Sequence, residues 1–444
     1  MKSLKFLTFL LTGSILLNAC KKDDPIKQPV DDAFKAILVG SLTESRTFTE
    51  NDTVILFGNV FVPENITLTF EQGTTIKSDI TEKGALIIER GGKLICNGTQ
   101  DKPVVFTSGK PVGERQPGDW GGIILLGKAP TNRATTPIIE GGVNKPYGGT
   151  DANDNSGSLK YVRIEYPGIA AQTGSEINGL TFGGVGAGTV IENVMVSYSN
   201  DDAFEFFGGT VNAKNLIAFA TADDDYDFDL GYIGKIQYAI SFRDPKEDDS
   251  DPGNGVESDN DGTGAAALPY TRPILSNFTW VGPNGAANTA PGHNFANRFR
   301  RGTRFAVYNS ILLGYAKGGL VIDGETTGNA YRDGESQFKN NIVQAVMLPF
   351  AVIGSNNPFT DATLEAKAVS DGCIKYSLST DIELTNITSL NAPNFSPKVN
   401  SPAKIGANYD GLDGFFTKGN FRGAIGDNDW TKTWTNFNPQ VKVY

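Results

Sequence analysis

Histidine is all but missing from this 444-residue chain, and cysteine is scarce. There is one histidine, His293, and there are three cysteines, Cys20, Cys96 and Cys373. A four-cysteine zinc site and a histidine-rich transition-metal site are therefore excluded by count. Positive charge is also short: 39 Lys and Arg face 50 Asp and Glu, a formal charge of -11. An acidic surface repels phosphate backbones, which excludes nucleic acid as a partner. The same surface suits a soluble exterior and the binding of cations. Long apolar runs are missing as well. The run Leu4 to Leu17 is interrupted by Thr8, Thr12, Gly13 and Ser14 and is too short to span a bilayer comfortably. Nor is there a P-loop, a dinucleotide-binding fingerprint or a Ser/His/Asp order. The length fits two or three ordinary domains, or one elongated repeat domain.

What is present at the start reads as an address. Lys2 and Lys5 precede the short apolar run, and Leu17-Asn18-Ala19-Cys20 follows it. This resembles the lipobox of bacterial lipoproteins, in which a small residue before the cysteine lets a signal peptidase cut. Residues 1–19 are then an export signal, and Cys20 is the lipidation site that ties the chain to a membrane. Acyl chains on Cys20 contribute about 0.8 kcal/mol per buried methylene, enough for stable anchoring. Lys21-Lys22-Asp23-Asp24 looks like the short signal that sends lipoproteins of the Bacteroidota to the outer face of the outer membrane. Residues 20–35, with Pro25 and Pro29, read as a tether. Cys96 and Cys373 lie far apart in sequence, and a disulfide needs Cα atoms within roughly 7 Å, so two free, buried thiols are expected.

From Val54 onward, short β-rich runs alternate with Gly, Asn and Asp turns. Examples are Ile66-Thr67-Leu68-Thr69-Phe70, Ala85-Leu86-Ile87-Ile88 and Ile123-Ile124-Leu125-Leu126. Only Asp31 to Val39 has a helical period. Many short strands mean a sandwich, a propeller or a β-helix, and self-similarity decides among them. Asn193-Val194, Asn215-Leu216 and Gln237-Tyr238 recur at steps of 22, and Asn277, Asn309 and Asn341 at 32. A propeller blade needs about 40 residues or more. A 22-residue step is one turn of a right-handed parallel β-helix, lengthened in places by a loop. Asn at each turn tolerates the left-handed conformation, and stacked Asn amides form a ladder from coil to coil. The expected organisation is all-β: a parallel β-helix over 36–400, an N-terminal cap from Val30 to Asn59, and a C-terminal capping segment over 401–444. Trp430 and Trp434 are expected to pack over its far end.

Two stretches carry a resemblance. One is Leu68-Thr69-Phe70-Glu71-Gln72-Gly73-Thr74-Thr75-Ile76-Lys77, continued by Gly84 to Gly92 and Lys102 to Ser108. The other is Gly118-Asp119-Trp120-Gly121-Gly122-Ile123-Ile124. They resemble the first coils of a family of Bacteroidota β-helix surface lipoproteins within the pectate-lyase-like superfamily. Leu159 to Glu165, Arg300 to Arg304, and Arg422-Gly423-Ala424 with Trp430 and Trp434 fit the same family. The resemblance implies fold and location and no settled enzymatic activity, since fold does not deliver function.

Carboxylates make the strongest chemical pattern. Asn200-Asp201-Asp202-Ala203-Phe204-Glu205 is followed one coil later by Asp223-Asp224-Asp225-Tyr226-Asp227. Like charges one strand apart cannot all ionise comfortably, so either their pKa values rise or a cation sits among them. Oxygen-only clusters favour Ca²⁺, which takes about 6–8 such ligands. Three readings stand side by side: a structural Ca²⁺ site, an acid/base pair for glycoside hydrolysis, and solvated turn carboxylates with no ligand. Asp201-Asp202 resembles the paired Asp of polygalacturonase-like β-helices, whereas Gly292-His293-Asn294 departs from the Gly-His-Gly turn of that group. A second acidic segment, Glu247 to Asp261, carries Asp259 and Asp261. Asp201, Asp202, Asp224, Asp225, Asp227, Asp259 and Asp261 are thus the candidate metal ligands. Arg298, Arg300, Arg301 and Arg304 lie close by in sequence. In the pectate lyases an arginine abstracts the proton α to a carboxylate, so Asp201, Asp202, Asp225 and Arg300 are the candidate catalytic set; the plainer reading is that the arginines neutralise acidic loops. The leading expectation is a non-enzymatic outer-membrane lipoprotein that binds a glycan or an outer-membrane protein partner. The alternative is a Ca²⁺-dependent polysaccharide lyase or glycoside hydrolase acting on acidic glycans.

Overall fold

The computed structural model describes residues 34–170, 176–249 and 251–444. The export signal, Cys20 and the Lys21–Asp24 run lie outside these residues. Twenty-six strands are joined by parallel pairing into one continuous helical sheet. The 22-residue period is visible in the register: Val190 pairs with Asn212, and Phe204 with Tyr226. Each coil therefore lays its strands on the equivalent strands of the coil before.

Alternation along the strands sets what is inside. In Phe204–Phe207 the side chains of Phe204 and Phe206 point inward and Glu205 between them points out, as a pleated strand requires. Phe204 stacks on Tyr226 with ring centroids 5.2 Å apart, and Phe206 on Phe228 at 5.0 Å. These distances are close to the roughly 4.8 Å between strands, so each coil repeats the ring above it. A second column runs Phe48, Phe70, Phe106 and Trp120.

The asparagines do one of the two things expected of them. Asn193, Asn215, Asn277 and Asn309 adopt positive φ at their coils, where a strand turns from one face to the next, whereas at two other coils the turn falls on Tyr238 and Asn340 and not on Gln237 and Asn341. The amide ladder is reduced to one rung, from Gln237 to Asn277 at 3.1 Å. Asn277 and Asn309 bond instead to the C-terminal segment: Asn277 donates to the Phe421 carbonyl, and Asn309 accepts from the Asn408 N–H. At these two coils the passing backbone offers an unpaired donor or acceptor and outcompetes the neighbouring amide.

The ends are also instructive. Phe34–Ser41 is a strand paired in parallel with Asp52–Val62, where the sequence period suggested a helix. Burial of Ala36 and Leu38 against the first coil overrides that weak period. At the far end the helix Asp361–Ser370, capped by Thr360, buries Leu364 and Ala368 against the last coils. The segment beyond it then returns along the flank. Gly423 donates to the Asn309 carbonyl, Ala424 to Thr279, and Trp434 meets Tyr161 edge to face. Trp430 and Trp434 thus lie on the side of the coils, where Met195, Ile217, Ile240 and Ile311 need cover. Cys96 and Cys373 are buried and free.

Candidate functional site: an acidic cleft

The outward positions of one strand column bring the acids together. Thr181 pairs with Glu205, Glu205 with Asp227, Asp227 with Glu257, and Glu257 with Arg298. The turns just before these strands form a parallel column. The Asp224 N–H donates to the Asp202 carboxylate at 2.9 Å, and the Asn254 N–H donates to Asp224. One carboxylate oxygen in each coil thus holds the backbone of the next, and the other is left to the cleft. Loops supply Glu140, Glu176 and Asp251. The result is a cleft of about 230 Å³ lined by ten carboxylates, Asn178, Pro252 and the guanidinium of Arg300.

This crowding has an electrostatic consequence. Burial first, and then neighbouring carboxylates, push Asp201 up to about 7 and Asp223 up to about 8. The same causes drive Asp202, Glu205, Asp224, Asp227 and Glu257 well above the ordinary carboxylate range. Arg300 pairs with Glu257 and, at 2.8 Å, with Asp259. Burial opposes its charge, but those two carboxylates outweigh burial and hold its proton more firmly than usual.

The donor set fits a hard cation. Asp201–Asp202–Asp223, Asp202–Glu205–Asp227 and Asp224–Asp227–Glu257 each offer three oxygens within 4.8 Å of one another. Asp227 Oδ1 is buried without a hydrogen-bond partner. Only oxygens are offered, as Ca²⁺ prefers.

Four of the seven carboxylates singled out in the sequence line this cleft: Asp201, Asp202, Asp224 and Asp227. Asp225 does not. Its carboxylate turns into the interior, bridges to Arg243 at 3.2 Å, and accepts from Ser241 and Tyr315. Asp259 stands beside the cleft, tied to Arg300 and Arg301. Asp261 caps its own loop through the N–H groups of Thr263 and Ala265. His293 is buried behind the site against Arg243, and burial with that cation lowers its pKa to about 3. Glu140, Glu176 and Asn178 escaped sequence reasoning, since they sit in loops with no repeat of their own. Glu205, Asp223 and Glu257 lay within the acidic runs but carried no signal separating them from their neighbours.

Fold and cleft together define a parallel β-helix with an anionic site on its outer face. Residues 40–391 match the family described as pectate-lyase like beta helix domain, and the chain belongs to that family, a right-handed β-helix. No curated protein matches the sequence. Among solved structures the chain is similar to "Crystal structure of pectate lyase Pel9A", with a TM-score of 0.44 and 11% identity, covering 83% of this chain and 89% of that one. It is also similar to "Crystal structure of Dettilon tailspike protein (gp208)", with a TM-score of 0.23 and 10% identity over 76% of this chain and 62% of that one. At these values neither likeness bears on the site.

Proposed function

We propose that this protein is a Ca²⁺-dependent polysaccharide lyase acting on an acidic glycan. The observation that carries the reading is the meeting, in one cleft, of the three carboxylate triads with Arg300. Ten carboxylates would repel an acidic substrate unless cations changed the sign of the local field. Asp201, Asp202, Asp223, Asp224 and Asp227 would hold the ion. Bound Ca²⁺ supplies neutralisation of a uronate carboxylate, which acidifies the adjacent C–H. Arg300, kept cationic by Glu257 and Asp259, holds the substrate carboxylate and the negative charge that develops on it. In β-elimination the α proton passes to an ionised carboxylate of the cleft, the β glycosidic C–O bond breaks, the departing sugar oxygen takes up a proton, and an unsaturated sugar end remains without consumption of water. This departs from the expectation of a non-enzymatic binding module, in which Arg300 would only neutralise Glu257 and Asp259.

A hydrolase is a second reading, favoured by one contact. Glu140 and Glu205 share a hydrogen bond and both are pushed up by burial, as a general acid requires. The end groups decide: incubation with polygalacturonate or alginate and Ca²⁺ yields ultraviolet-absorbing unsaturated ends from a lyase and saturated ends from a hydrolase. Folded protein that cleaves neither in Ca²⁺ sinks both readings.

We also propose a lipid anchor at Cys20. No helix among the described residues is long and apolar enough to cross a membrane. A lipid on Cys20 would tether the β-helix to the outer membrane, facing outward toward glycan. Replacing Cys20 by Ser is expected to move the protein from the membrane to the soluble fraction, and unchanged membrane attachment would refute it.

A further inference from the structure

The flank where the C-terminal segment meets the coils holds a second hollow that shares no residue with the acidic cleft. It measures about 390 Å³ and lies between the turns carrying Asn215 and Tyr238 and the returning segment with Phe421 and Trp430. Three half-buried rings wall it. Tyr238 and Phe421 are stacked with centroids 6.1 Å apart and planes 16° from parallel. Trp430 is fixed from behind by stacking on Trp434, and its indole N–H is spent on the Ala424 carbonyl. Its ring therefore offers a face, with no indole donor left over.

Polar groups surround these rings. The side-chain amides of Asn215 and Asn428 have no hydrogen-bond partner among the described residues, whereas those of Asn277 and Asn309 are engaged by the tail. Charge is balanced and largely occupied. The Lys214 ammonium already bonds Thr417 at 3.2 Å and sits 4.8 Å over the Phe415 ring, and Asp427 is exposed at the rim. A second hollow of about 350 Å³, bounded by Val190, Glu192, Asn212 and Phe415, shares Lys214 with it.

Flat aromatic faces, free amides and few charges match the alternating apolar faces and hydroxyl edges of uncharged sugar rings. Two hollows that share a wall residue suit more than one such ring. We propose that this flank is a binding site for a neutral polysaccharide, independent of the cleft and of any cation. Such a site would hold the protein on an uncharged matrix while the cleft meets acidic chains.

The test is affinity electrophoresis of the folded protein, in chelator, through gels containing a soluble β-glucan, a galactomannan or polygalacturonate. Retardation by at least one neutral polymer is expected. In the variant Trp430→Ala it should weaken by about tenfold or more, the loss typical of an aromatic anchor. Because Trp430 also supports the tail, Asn215→Ala combined with Asn428→Ala serves as a second variant that leaves the rings in place, and it too should weaken binding. Failure of both neutral polymers to retard the protein overturns the proposal. So does retardation that both variants retain in full, or retardation by polygalacturonate alone. Absence of lyase activity in a protein that still binds a neutral polymer would refute the cleft reading and leave this one standing.

Discussion

Asp224 and Asp225 are neighbours in the chain and opposite in role. Asp224 faces the cleft, crowded by Asp223; Asp225 faces inward and neutralises a wholly buried Arg243. Sequence alone grouped them, because a turn hides which side each residue takes. Their substitutions should therefore have opposite signs. Asp225→Ala leaves Arg243 uncompensated and should cost about 3–5 kcal/mol of stability, with or without Ca²⁺. Asp224→Asn removes a repelled charge, so in chelator it should raise the melting temperature while weakening Ca²⁺ binding by at least about tenfold. Calorimetric melting and calcium titration of both variants check the pair; equal destabilisation by both contradicts the assignment. At Arg300 the guanidinium is positioned by two carboxylates. Arg300→Lys keeps the charge but loses the planar fork, and turnover should fall with little change in calcium affinity.

At the scale of elements, the parallel strand does most of the arranging. Its two-residue alternation sends Phe204 and Phe206 to the core and Glu205 to the cleft, and the parallel register lays Asp227 and Glu257 beside Glu205. The strands and their period were legible because they depend on local alternation. The route of the returning segment was not, since it depends on which flank remains apolar once the coils have closed. There Trp434, fully buried, covers Ile217 and Ile240 in one cluster. Trp434→Ala is expected to cost about 3–5 kcal/mol, the usual loss for a buried aromatic. Chemical denaturation measures this, and a loss below about 1 kcal/mol would mean that the segment is not part of the cooperative fold.

At the scale of the whole molecule, the cleft links stability to pH and calcium. Asp201 and Asp223 have folded-state pKa values raised to about 7 and about 8. An acid whose pKa is raised on folding contributes stability below its unfolded pKa, and that contribution is lost as pH rises through the folded value. In chelator, the melting temperature should therefore fall between about pH 4 and about pH 8, the opposite of ordinary acid denaturation. Saturating Ca²⁺ should flatten the fall by pairing the ionised carboxylates. Melting scans across this range with and without Ca²⁺ are the check; a flat profile in chelator would show that the carboxylates are not confined as described.

The sequence by itself determined the β-helix, because a 22-residue period, inward aromatics and turn asparagines are local facts that repeat until one fold satisfies them all. It also determined that Asp201, Asp202, Asp224 and Asp227 share one region, since one coil's step stacks them. Only the tertiary structure decided that Glu140, Glu176 and Asp251 join them, that Asp225 turns away, and that Arg300 closes the wall. Those residues come from loops of unequal length, and a loop's path is set by what it packs against, which no period along the chain records.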